Sequence, residues 1–166
     1  MSTLKTTNIQ HPSAGSPAVE LTAAGGLWLG GGKILQVVRA TPTGGTFSTT
    51  STSFTDVSGF SVSITPQKNT SVVLIYLSAY LDLPTNSYMK LQITDASNNA
   101  ISGAQTMAFG GASHSGTVVW VSGIGYATPA TTSSVTYKTR FKVNAGTGQI
   151  DNTSATAQLI AIEVSA

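Results

Sequence analysis

Three features of this 166-residue sequence predict an all-β fold, an antiparallel β-sandwich of the jelly-roll kind preceded by an extended N-terminal arm. From Lys33 onward, short apolar runs recur between turn signals at the spacing of a sandwich. Several of these runs alternate apolar and polar residues with period two. No stretch carries a capped apolar stripe of period 3.6, so little or no helix is expected, and without strand–helix alternation a parallel α/β sheet is not expected either.

Residues 1–32 read as the arm. Pro12, Gly15 and Pro17 punctuate them, and Gly25-Gly26 and Gly30-Gly31-Gly32 act as joints. Within this stretch Leu4, Ile9, Val19, Leu21, Leu27, Trp28 and Leu29 are apolar residues that a free tail would leave in water. They either tuck against the chain's own domain or dock on another subunit or another protein, and docking is the expectation. Residues 33–166 form the head domain.

Within the head, strands are predicted at about 34–41, 59–65, 71–81, 87–95, 117–126, 135–143 and 157–164. Shorter pieces lie near 46–49, 53–56, 99–102 and 105–109. Phe60 to Ile64 and Val135 to Val143 alternate cleanly, which puts one face in a core and one in solvent. Val72 to Leu77 and Val118 to Val121 are apolar on both faces, as central strands or subunit interfaces are. Val73, Ile75, Val118 and Trp120 are therefore candidate interface residues. Turn residues at 42–45, 66–69, 84–86, 97–99, 110–111, 129 and 146–148 separate the runs.

Composition narrows the function. Charged residues make up 8% of the chain against about 25% in an ordinary domain, so the polar surface is built from Ser, Thr, Asn and Gly. With a net charge of +2 and scattered basic residues, a nucleic-acid footprint is not expected. Lys138, Arg140 and Lys142 alternate, so they project from one face of a strand. There is no apolar signal segment at the start and no run of about eighteen apolar residues, so neither export nor a membrane partner is expected. A free monomer with so few charges would be only modestly soluble.

Groups that could do chemistry are few. There is no cysteine, hence no disulfide, thiolate metal site or cysteine nucleophile. His11 and His114 lie in the arm and in a loop of small residues. Asp56, Asp82, Asp95 and Asp151 fit neither a calcium loop nor a zinc pattern, and no strand-to-helix Gly-x-Ser-x-Gly elbow occurs. Gly30 to Lys33 lacks the phosphate-loop frame. No enzyme activity, metal or cofactor is expected; a cleft gathering Asp56, Asp82 and Asp95 would reopen a hydrolase reading.

Two stretches carry a resemblance. Leu4 to Ala14, with Ala18 to Leu21, resembles the N-terminal attachment segment of short fibre-like virion proteins encoded by marine bacteriophages and cyanophages. Gly32 to Val38, Phe47 to Phe54 and Val62 to Pro66 are similar to the start of their β-rich head. The resemblance takes in the chain up to Pro66 and brings no active-site residues with it. It implies a virion protein assembled in the host cytoplasm, commonly a homotrimer, fixed to capsid or tail proteins by its N-terminus. A chain this short, lacking the long shaft of tail fibres, fits a compact capsid decoration or head fibre. The alternative expectation is a tail-fibre module reading a host surface glycan through loops bearing Asn86, His114, Asn144 and Asp151.

Overall fold

The computed structural model describes residues 32–110 and 117–165, and the backbone of three short strands before them. Those three, β1 (Asn8–Ile9), β2 (Val19–Leu21) and β3 (Leu27–Trp28), pair antiparallel with one another. Leu4 and Leu29 lie outside the described residues, as do the side chains of Ile9, Val19, Leu21, Leu27 and Trp28.

The head is built from ten strands: β4 (Ile34–Ala40), β5 (Thr46–Thr49), β6 (Thr55–Ile64), β7 (Val72–Leu83), β8 (Tyr88–Asp95), β9 (Met107–Gly110), β10 (Thr117–Ala127), β11 (Val135–Val143), β12 (Gly148–Asp151) and β13 (Gln158–Val164). One sheet runs β4-β13-β7-β12-β5, with β10 on the opposite edge of β7. The other runs β6-β11-β8-β9. With the β5 and β12 pair set aside, eight strands remain in chain order. The first sheet takes the first, eighth, third and sixth, and the second takes the second, seventh, fourth and fifth. That is the jelly roll.

Strand parity builds the core. Odd-numbered residues of β7 point inward, so Val73, Ile75, Leu77, Ala79, Leu81 and Leu83 are buried while the even ones are not. They meet Phe60, Val62 and Ile64 of β6, Met89, Leu91 and Ile93 of β8, and Tyr137 and Phe141 of β11. Each fully buried large aliphatic or aromatic side chain contributes about 1.5–3 kcal/mol. Gly123 and Gly125 sit on the inner side of β10 because Met107 of β9 and the chain between β8 and β9 pass there. A Cβ on Gly125 would meet the Ile101 side chain and lie 3.2 Å from Ala104 Cβ.

One buried charge closes an end of the sandwich. Glu163 on β13 is fully buried and has no cation within salt-bridge reach among the described residues. Its Oε1 accepts the backbone N–H groups of Gln67 (2.8 Å) and Lys68 (3.3 Å) in the β6–β7 turn, and Oε2 accepts Gln36 Nε2 of β4 (2.6 Å). Gln36 also donates to Thr65 O, and Gln67 Nε2 to Leu35 O. A ring of N–H donors replaces the missing counter-charge. Burial alone would raise the carboxyl's pKa, but the hydrogen bonds from Gln36, Gln67 and Lys68, with the Ser71 hydroxyl nearby, together bring it below its ordinary value.

The structure corrects three expectations. Val73 and Ile75 are not interface residues, since their parity turns them into the core at 0% exposure. The segment around 99–102 forms only isolated bridges, Thr94 to Ala100 and Ser102 to Tyr126. Residues 148–151, read as loop, form β12 between β5 and β7.

Glu163→Ala strands the turn's N–H groups and is expected to cost about 2–4 kcal/mol in urea unfolding. Because the folded carboxyl's pKa is lowered, the wild type's contribution is present above the ordinary glutamate value of 4.5. It declines as pH falls below that value, so the difference from the alanine variant should shrink between pH 5 and strongly acid solution. Gly125→Ala is expected to destabilise by about 1–3 kcal/mol through overpacking, read as a lower melting temperature.

Candidate assembly surface

The inward parity of β7 forces its even residues onto the outer face of the large sheet, where neighbouring strands present apolar side chains in register. Leu74 is flanked by Ile162 of β13 and Tyr126 of β10, and Tyr76 by Ile160 and Ile124. One strand further out, Val37 of β4 stands opposite Ile162, and Arg39 opposite Ile160. Farther along β7, Tyr80 stands opposite Trp120 with ring centroids 5.5 Å apart, and Asp82 opposite Val118. A polar row of Gln158, Ser78 and Ser122 separates these two apolar regions.

The described residues include eight exposed large apolar or aromatic side chains, and all but Tyr88 lie on this face. Ile34 is 58% exposed, Val37 and Trp120 57%, and Ile124 54%. Together the seven leave on the order of 700 Å² open on one face, shared unequally between the two regions, and the larger region is of the size of the largest apolar patch on a typical monomer, ~300–600 Å². Two of the sequence-derived interface candidates, Val118 and Trp120, belong to it. The β4 and β13 residues were missed, although Ile34-Leu35 and Leu159 to Ile162 carry the same two-faced apolar signal as Val72 to Leu77.

The outer face of the small sheet is different. Lys138, Arg140 and Lys142 project from it as the alternation predicts. Asp56 takes Lys138 Nζ on Oδ2 and Arg140 Nε on Oδ1, both at 2.8 Å. Lys138 also donates to Asn98 Oδ1 and Arg140 to Phe54 O. Lys142 covers the Phe54 ring and Lys90 the Tyr88 ring. The bond from Lys138, followed by that from Arg140, lowers the Asp56 pKa against the opposing effect of burial.

The candidate receptor loops are partly brought together. Asn86 is exposed in a left-handed turn conformation (φ 52°). Asn144 is exposed beside it, its N–H donating to Tyr88 O and its Oδ1 accepting from Tyr88 Oη. Gly110 pairs with Tyr88 and Thr117 with Leu83, so the chain leaves and re-enters the sandwich at this same end. His114 itself lies outside the described residues. Asp151 does not belong to a loop, because it ends β12 opposite Thr46. Its carboxylate is occupied by the Thr153 hydroxyl and by the N–H groups of Thr153 and Ser154, which hold its pKa well below the usual range.

At the opposite end an open cleft of about 430 Å³ lies between Asp95–Ser97, Ala127–Pro129 and Ser134–Tyr137. Tyr137 is 3% exposed, and burial, with the Asp95 charge second, pushes its phenol up to about 12. Asp95 itself is held by Ser97 N, Asn99 N and Asn99 Nδ2. Asp82 lies on the large sheet while Asp56 and Asp95 lie on the small one, so the three acids do not share a cleft. Among the described residues no group of three or more His, Asp or Glu could hold a metal, and no helix is long and apolar enough to cross a membrane.

No family model and no curated protein matches the sequence. Among solved structures, the chain is similar to the VP2 subviral particle of infectious bursal disease virus, at 14% identity and a TM-score of 0.39, over 79% of this chain and 37% of that one. It thus spans little more than a third of the viral chain's length. It is also similar to the CBM22-1 xylan-binding domain of Xyn10C from Paenibacillus barcinonensis, at 15% identity and a TM-score of 0.28, over 82% of this chain and 97% of that one. Likenesses of this size leave the role to be argued from the chain's own surfaces.

Asp56→Ala is expected to cost no more than about 1 kcal/mol, because the carboxylate is half exposed. The loss should shrink further in 1 M salt. Since the pKa is lowered, the pair's contribution is present above the ordinary aspartate value of 3.8 and fades below it; paired thermal melts at the two ionic strengths and at pH 3 and 7 measure both effects.

Proposed function

We propose that this chain is a non-catalytic structural protein of a bacteriophage particle. In this reading it is an oligomeric capsid decoration or head-fibre protein whose residues 1–32 attach it to other virion proteins, while the jelly-roll head self-associates. The observation that carries the reading is the outer face of the large sheet, where seven of the eight exposed large apolar or aromatic side chains of the described residues are gathered. An apolar face of that extent is a liability on a free monomer and an asset in an assembly. The resemblance of Leu4 to Ala14, with Ala18 to Leu21, to phage attachment segments supports the arm's role, and implies a homotrimer.

A second reading, a tail-fibre module that recognises a host surface glycan, is favoured by the turns at Asn86 and Asn144, which share one end with the chain flanking His114. The two readings are compatible, since loops on an anchored scaffold are where recognition usually sits. Binding to a host-glycan array through that end, lost on Asn86→Ala/Asn144→Ala, would support it.

Deleting residues 1–31 retains Gly32, whose N–H donates to Ser165 O at 3.1 Å, and is expected to leave a folded, oligomeric β protein. That protein should no longer co-sediment with intact particles, whereas the full chain should. Normal decoration by the truncated protein would refute the arm's role, and absence of the full chain from purified particles would refute the virion assignment.

A further inference from the structure

We propose that a second copy of this chain covers the outer face of the β4-β13-β7-β10 sheet, with Arg39 of one copy set against Asp82 of the next. The inference rests on the assembly reading above and names the partner and the register of contact.

Size is the first argument. The open apolar area, on the order of 700 Å², approaches the ~800 Å² per partner that a stable protein interface takes. Partly buried neighbours such as Leu74 and Ile162 widen it.

Charge supplies the second. Arg39 is the one cation among the strand residues facing outward on this patch, and among the described residues neither its side chain nor that of Asp82 has a hydrogen bond or ion pair. They cannot satisfy each other within one copy. Arg39 lies level with Ile160 and Tyr76; from Tyr76 to Asp82 is six residues along β7, about 20 Å of strand. Asp151, on β12 beside β7, makes the Asp82 end more acidic still. Arg39 thus stands on β4 at the side of the larger apolar region, and Asp82 at the far end of β7 beyond Tyr80 and Trp120, with the polar row of Gln158, Ser78 and Ser122 between them; the face is complementary to itself when the Arg39 side of one copy meets the Asp82 end of another. The contact can close reciprocally in a pair or head-to-tail in a ring of three.

Sedimentation equilibrium of the full chain tests this. The wild type is expected to be oligomeric at about 10 µM, and Trp120→Glu and Ile124→Lys monomeric. Both substitutions lie on the outer side of β10, and an unchanged far-ultraviolet spectrum and melting temperature verify the fold. Arg39→Asp and Asp82→Arg should each weaken association at least about tenfold, and the double reversal should restore it to within about threefold of wild type. A monomeric wild type, an oligomer that survives Trp120→Glu and Ile124→Lys, or a double reversal as weak as the two losses combined would each overturn the proposal. A mass of two or of three chains supports the contact alike, and a mass of two removes only the three-fold assembly. Association in solution without any binding to particles would sink the virion assignment and leave this contact standing.

Discussion

Strand β7 constrains everything else in the head. Over Val72 to Leu83 one edge is occupied by β10, and the other first by β13 and then by β12. Its backbone ladder is thereby satisfied, and its side chains divide between two faces. The inner face is met by the β6-β11-β8-β9 sheet and becomes core. The outer face carries Leu74, Tyr76 and Tyr80 with no second layer over them among the described residues. Since the outer strand positions of β10 and β13 are apolar too, a strand that is central in its sheet leaves the sheet itself at the surface.

The two outer faces show how a chain with so few charges distributes them. On the small sheet, four cations and Asp56 cover β11, β8 and two aromatic rings. Long basic side chains shield apolar surface with their stems while their charges stay wet, and that face is blunted against sticking. The large sheet has Arg39 on its β4 side, Asp82 near the end of β7, and uncharged polar groups in a single row, Gln158, Ser78 and Ser122. Charge scarcity alone would leave both faces equally apolar, so the contrast is a property of this sequence and not of its composition.

Much of this architecture is legible in the sequence. Period-two alternation located β6 and β11, and uninterrupted apolar runs located β7 and β10, because both signals are local. What failed was parity. A run such as Val72 to Leu77 declares that both faces are apolar without saying which is inner, and Val73 and Ile75 were assigned to the wrong one. Only the register with β13 and β10 decides it. Strand β12 escaped because Gly148 to Asp151 offers a single large apolar residue, Ile150, between two turn signals. The role of Glu163 is not legible locally, because its donors Gln67 and Lys68 lie some 95 residues earlier in the chain.

Glu163 also bears on the outer face, because β13 alternates across it. Its inward carboxylate fastens β13 to β4 through Gln36 and to the β6–β7 turn through Gln67 and Lys68. The neighbouring Ile162 and Val164 point outward beside Val37 and Ile34. The buried charge therefore fixes the backbone that carries the basic half of the apolar face. A surface held from behind in this way has little freedom left to lose when something packs against it, and preorganisation of that kind is what lets buried area appear as affinity. The core side of β13 and its solvent side are thus two consequences of one alternation: the residue that locks the strand and the residues that make the face useful are adjacent because they must point in opposite directions.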